Sequence, residues 1–271
     1  VADRKLKTVF GIFLVVFCVR AAETGWAGRS GFHFLRSTAG ITSSGRGTAS
    51  AALSTDFARY TNPALYGGME DPYLNMAFGN SGFGDNPTFA VEFLFPLRDY
   101  FFALTLRNTT IDDIFITGDL HTTDPQKKSL WQSSDFSLTA GVVRTPFFQW
   151  AVGFGGAFEE FDGYMAQAFI FNAGGQFFFL DRDLSLGLSA LNMGRTTSFL
   201  DTNNTSGEGE NLPTSFRTGI SYDIDLSGFL LTPAFDVVYY HVYDPEKGIR
   251  ENMADRIFYP LGIDIKPLEW M

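Results

Sequence analysis

The side chains able to do chemistry are few and scattered. His33, His121 and His241 lie far apart, and none falls in the H-E-x-x-H spacing that sets two imidazoles and a base on one helix face. His241 with Asp236 and Asp244 has the residue types of a hydrolase pair, but no nucleophile motif accompanies them, so they read as residues of an aqueous rim. Gly153, Gly155 and Gly156 in "GFGG" are not a phosphate-cradling loop, because no G-K-[ST] follows and the stretch has strand character. Glycine there is expected to leave room for something packed against it. No catalytic residue, metal-ligand set or cofactor motif is assigned, and the chain is not expected to be an enzyme.

The elements that would position any site begin after an export signal. Arg4, Lys5 and Lys7 precede an apolar stretch from Thr8 to Val19, and Gly25-Trp26-Ala27 offers small residues for cleavage, so 1–27 reads as a signal peptide. A lipoprotein signal using Cys18 is the alternative, opposed by bulky Phe17. Cleavage near Ala27 removes the only cysteine, leaving no disulfide or thiol chemistry. It also removes four basic and two acidic residues from a formal charge of −10, leaving 16 basic against 28 acidic, or −12. Without clustered Lys and Arg, a nucleic-acid partner is not expected.

No second apolar stretch reaches eighteen residues, so helical membrane spans are excluded. From Tyr73 onward the dominant period is two. In "LSLGLSAL" Leu184, Leu186 and Leu188 alternate with Ser185, Gly187 and Ser189; in "TFAVEFLF" Phe89, Val91, Phe93 and Phe95 oppose Thr88, Ala90 and Glu92. "SFRTGISYDI", "DFSLTAGV" and "AVGFGGAF" follow the same rule. Ten strands are expected, at 72–80, 88–95, 100–107, 134–144, 147–158, 164–179, 184–191, 214–224, 229–242 and 256–266. Tight links at 96–99, 144–147, 180–183 and 225–228 alternate with mostly longer ones. That pattern suits an up-and-down barrel whose two ends face different compartments. A closed sheet is also the one way strands can satisfy their backbone in hydrocarbon. The fold class expected is therefore all-β: a transmembrane antiparallel up-and-down β-barrel at 71–271, preceded at 28–70 by a plug rich in small residues.

The plug stretch carries a resemblance. "FHFLRSTAGITSSGRGTASAALSTDFARYTNPALYGG" resembles the N-terminal hatch of FadL-type long-chain fatty-acid transporters. It is more similar still to their PorV-type branch and to an uncharacterised spirochaetal outer-membrane family of the same build. Phe34-Leu35, Gly45-Arg46-Gly47, Asp56 and Asn62-Pro63-Ala64 match the hatch pattern, while Phe57 and Leu65 depart from it. "LGLSALNMG", "LPTSFRTGISYDI" and "PLGIDIKPLEW" resemble later family strands in the same order. The resemblance implies a barrel of about fourteen strands, of which ten fit here; Lys266-Pro267-Leu268-Glu269 reads as a further tight turn. The expectation is thus a fourteen-strand barrel truncated after its tenth strand, with a natural ten-strand barrel as the alternative.

The function the resemblance implies is passage of hydrophobic molecules such as long-chain fatty acids across a bacterial outer membrane, by passive diffusion. Its partners would be outer-membrane lipid and the hydrophobic ligand. The alternative is a PorV-like adaptor or scaffold that binds secretion-system or surface proteins. A third reading, a soluble exported β-sandwich, would pack the greasy rows against a second sheet. The inward aromatic candidates for ligand contact are Phe101, Phe178 and Tyr240. Arg107, Arg217, Glu92, Asp223 and Asp236 are inward charges expected to pair across the interior, hold the hatch or touch ligand. Asp56, Asn62, Pro63 and Ala64 form the hatch motif, with Asn62-Pro63-Ala64 the turn into the first strand. "DTNNTSGEGEN", 201–211, reads as an exposed acidic loop.

Overall fold

A computed structural model describes residues 32–37, 39–80, 87–116, 127–142, 147–161, 164–196, 212–226, 228–241 and 257–267. The expected signal peptide, Cys18, His121, Asp244 and the 201–211 loop lie outside the described residues.

Alternating side chains produce one antiparallel, up-and-down sheet of twelve strands. These are β1 (Tyr73–Asn80), β2 (Pro87–Leu97), β3 (Tyr100–Ile116), β4 (Lys127–Val142), β5 (Phe148–Phe161), β6 (Tyr164–Phe179), β7 (Leu184–Thr196), β8 (Thr214–Tyr222), β9 (Ile224–Leu226), β10 (Phe229–His241), β11 (Ile257–Phe258) and β12 (Leu261–Pro267). They fill the ten expected places, because two strands are each interrupted once. The eighth breaks at Asp223, whose N–H turns to the Asp183 carbonyl at 2.7 Å and whose carboxylate accepts from Thr232 at 2.6 Å. The last breaks at Tyr259-Pro260, where the Pro260 carbonyl accepts from Asp236 N at 2.9 Å and proline has no N–H for the ladder. β9 and β12 then resume pairing with β10.

The expected boundaries differ most at β3 and β4, which run on to Ile116 and back from Lys127. A register shift between Ile111 and Ile114 carries the hairpin through Asp112-Asp113, where simple alternation fails. β5 also extends, to Phe161, leaving only 162–163 before β6. Asp162-Gly163 is a favoured two-residue hairpin sequence, so long and tight links do not alternate throughout.

Each strand has two unlike faces. On β8, Ser215, Arg217, Gly219 and Ser221 are buried while Phe216, Thr218, Ile220 and Tyr222 are exposed. Phe102, Leu104, Leu106, Phe136, Leu138, Phe154 and Phe158 continue the exposed set, which reaches 77% exposure at Phe78 and 71% at Phe169. Among the described residues neither a second sheet nor a helical layer covers these rows. The sheet is not closed there: β1 pairs only with β2, and β12 only with β10.

The core lies on the other face, where residues 32–69 dock as four short helical turns, His33–Arg36, Ile41–Gly45, Ala58–Tyr60 and Pro63–Gly68. Ten strand places at about 4.8 Å would spread over roughly 43 Å if flat. Yet Ala51 and Ala52 alone meet β6, β7, β8 and β10, and the same short segment reaches β2 through Phe57 and β12 through Arg46. The sheet curves around it.

Candidate functional site

The inner face is organised to hold the backbone of residues 32–69. The segment contributes no strand to the sheet; the bonds between them run through side chains, most of them from the wall. Asp236 accepts from Ser50 N and Ala51 N, both at 2.9 Å. Gln176 Nε2 donates to the Ala52 carbonyl at 2.7 Å and Ser189 Oγ to the Thr61 carbonyl at 2.6 Å. Arg217 donates to the Thr48 carbonyl at 2.8 Å, Arg107 to the Ser37 carbonyl at 2.7 Å and Asn192 to the Leu35 carbonyl at 3.2 Å. Buried backbone groups left unpaired would each cost about 1–3 kcal/mol, so these side chains do for the segment what a ladder does for a strand.

Two of the contacts repeat one design. Phe32 and Phe57 both take left-handed backbone, φ 58° and 50°, and both precede a helical turn with their side chains buried. Each donates its N–H to a wall glutamate: Phe32 to Glu159 at 2.7 Å and Phe57 to Glu92 at 2.8 Å. A bulky residue in this conformation costs about 1–3 kcal/mol and persists where its surroundings over-determine it. Glu92 also accepts from Tyr73 at 2.8 Å and from Tyr66; Glu159 accepts from Trp131 at 2.8 Å.

Glycines give the segment its clearance. A Cβ on Gly187 would strike the Ala51 backbone; on Gly174, Asn62 and Pro63; on Gly219, Asp236 and Ala51; on Gly262, Arg46 and Ala49. The "GFGG" glycines behave differently. A Cβ on Gly153 would meet Thr139 at 2.9 Å, and those on Gly155 and Gly156 would meet Phe136, all on β4. Their clearance is toward the neighbouring strand, which corrects the expectation that they make room for the segment.

The hatch motif sits where the segment turns. Asn62 caps the Pro63–Gly68 turn by accepting from Ala64 N at 3.1 Å, with Pro63 at its first position. Its amide donates to the Ala51 carbonyl at 2.7 Å and to Gly175 of β6 at 3.0 Å. Asp56 accepts from Thr55 at 3.1 Å and lies against Gly40. Pro63 and Ala64 are fully enclosed in the turn that leads to β1.

On β4, Asp135 accepts from Arg59, from Arg107 Nε at 2.7 Å and from the Tyr60 hydroxyl at 3.2 Å. The guanidinium carbons lie 4.6 Å (Arg59) and 4.3 Å (Arg107) from the Tyr60 ring centre. Burial pushes the Tyr60 and Tyr66 hydroxyls well above the usual phenol range, so both stay protonated donors to their wall carboxylates.

The five ligand candidates do not form one pocket. Phe101 is buried edge-on against Tyr66, with ring centres 5.8 Å apart. Phe178 is half-buried near the tight turn, 4.5 Å from Arg182, and Tyr240 meets Arg36 at 5.1 Å. Arg107 and Arg217 are buried on the segment, Arg217 also pairing with Asp236 at 3.4 Å. Asp135, Glu159, Gln149, Gln176, Asn172 and Asn192 were not singled out in the sequence. Asp135 could have been found: in "DFSLTAGV" it shares parity with Ser137 and Thr139, opposite Phe136 and Leu138. Among the described residues no cluster of metal-binding side chains occurs.

No family model matches the chain, and no curated protein matches it.

Proposed function

We propose that the chain is an outer-membrane β-barrel of the FadL and PorV build, with residues 32–69 as its plug, and that it passes hydrophobic molecules such as fatty acids without chemistry of its own. The observation that carries this reading is the split between faces: apolar rows turned outward and exposed, polar and charged rows turned inward onto a docked segment. The outer rows have the right height. From Phe169 to Phe179 β6 advances about 34 Å at roughly 3.4 Å per residue. At a tilt of about 40° that is about 26 Å along the membrane normal, close to the apolar band of such barrels. Exposing this much Phe and Leu to water would be a large penalty, whereas acyl chains solvate them.

Uptake of a labelled long-chain fatty acid into vesicles holding the full-length protein tests the reading. The expected result is entry faster than into empty vesicles, and equal rates would refute passage. One observation favours a second reading, a PorV-like adaptor in secretion or surface display: the segment is tied to the inner face of the sheet through many buried hydrogen bonds. An adaptor needs no opening, so equal uptake rates together with co-purification of a secretion-system or surface protein would select it.

A further inference from the structure

We infer that the tight-turn end of the sheet is seated in the headgroup layer of the membrane, so that its rim is a lipid-binding surface and the opposite end alone stands clear in water. The inference rests on the barrel reading above and adds which end meets the headgroups and how deep it goes. Each of the four tight links carries a large apolar side chain held in the open: Leu97, Phe147, Leu180 and Leu226, between 48% and 72% exposed. From β3 to β6 the outward residues stay apolar right up to these turns, as at Tyr100 and Phe102 on β3 and Phe177 and Phe179 on β6. Polar residues first enter the outward rows at the far end, with Asn108 on β3, Ser134 on β4, Glu160 on β5 and Gln167 on β6. The apolar band is therefore flush with the tight turns and stops short of the tip of the β3–β4 hairpin.

The turns also share a depth. Leu104 on β3, Leu138, Phe154 and Phe171 on β6 form one line of paired residues across the sheet. From that line the strand reaches its tight turn four residues on at Tyr100 but eight on at Phe179. Over three strand spacings, about 14 Å, the turns thus recede by about 14 Å along the strands. They come level when the strands tilt by about 43°, within the roughly 35–45° of membrane barrels. The chemistry of the rim selects the layer. Arg98 and Asp99 stand exposed beside Leu97, and Asp181 and Arg182 beside Leu180. Charges of this kind are costly in the hydrocarbon, and a row of apolar turn residues has no favourable place in bulk water. Tyr100, Trp150 and Tyr222, outward near the same turns, have the apolar ring and polar tip that settle at a headgroup boundary. At the other end β3 runs on from Leu106 to Ile116, about 34 Å along the strand and about 25 Å in height at this tilt. A soluble protein partner, on the adaptor reading, would be met at that end.

The test is fluorescence quenching of bimane placed singly at Leu180→Cys or Leu104→Cys, in a Cys18→Ser background. The full chain is reconstituted in phosphatidylcholine vesicles brominated either near the headgroup or deep in the acyl chain, with iodide on both sides as the aqueous quencher. At 180 the shallow bromines should quench about twofold more than the deep ones, and iodide several-fold less than in the urea-unfolded chain. At 104 the deep bromines should dominate. Should Leu180→Cys not fold, Leu97→Cys takes its place with the same expectation. A label at 180 that iodide quenches as in the unfolded chain and bromines do not, while 104 still responds to bromine, overturns the inference and leaves the barrel reading standing. Quenching at 180 by deep bromines as strong as by shallow ones overturns it too. Absence of bromine quenching at both positions overturns the barrel reading along with it.

Discussion

On β3, Thr105 and Arg107 are buried against the docked segment, while Leu104 and Leu106, their immediate neighbours, stand exposed. The two faces of this sheet are stabilised by different physics. On the proposed reading the outer face has little geometry to satisfy, since any apolar side chain of fair size would meet fluid acyl chains. The inner face is specific: carboxylates, amides and glycines are matched to single backbone atoms of residues 32–69. Substitutions should therefore be tolerated outside according to polarity, and inside according to position.

The largest effect is expected inside, at Asp236. Asp236→Ala strands the Ser50 and Ala51 amides and the Arg217 guanidinium, a loss of about 3–5 kcal/mol by comparison with other broken buried ion pairs. Hydrogen exchange should accelerate in peptides covering 48–57 while β3 to β6 stay protected; uniform protection would erase the contrast. Next comes the outer face, where Phe154→Arg in mid-row should cost about 2–4 kcal/mol in lipid and Phe154→Leu much less, measured by urea unfolding in vesicles. Equal costs would mean that this face does not meet hydrocarbon. Gly187→Val drives a side chain into the Ala51 backbone and should cost about 1–3 kcal/mol, whereas the same change at Gly79, with open space around it, should cost little.

The smallest effect concerns pH. Burial raises the Tyr60 phenol, so its contribution to docking is complete below the ordinary phenol pKa of about 10 and fades as pH climbs above it. Exchange in 48–60 should increase from about pH 10 upward, after correction for intrinsic rates, and Tyr60→Phe should blunt the increase.

Strand places were readable because outward Phe and Leu repeat every second residue, and "YMAQAFIFNAGGQFFF" spans β6 as expected, at 164–179. The far ends of β3 and β4 were not, because a bulge between Ile111 and Ile114 shifts the parity. Inward Glu92, Arg107, Arg217 and Asp236 followed from the same parity, but their partners did not. Residues 32–69 carry no period, so that Phe57 would meet Glu92 or Arg59 meet Asp135 depends on how a loop-like stretch packs in three dimensions. The left-handed turns at Phe32 and Phe57 were equally hidden, since glycine is the usual signal for them and both positions hold phenylalanine.

The central claim is that alternate side chains face lipid and a docked segment. Spin labels placed singly at Leu104→Cys and Thr105→Cys, in a Cys18→Ser background and in lipid vesicles, test it most directly. The account predicts high oxygen and low aqueous nickel accessibility at 104, and low accessibility to both at 105. Ready access of the aqueous reagent to 104 would contradict it.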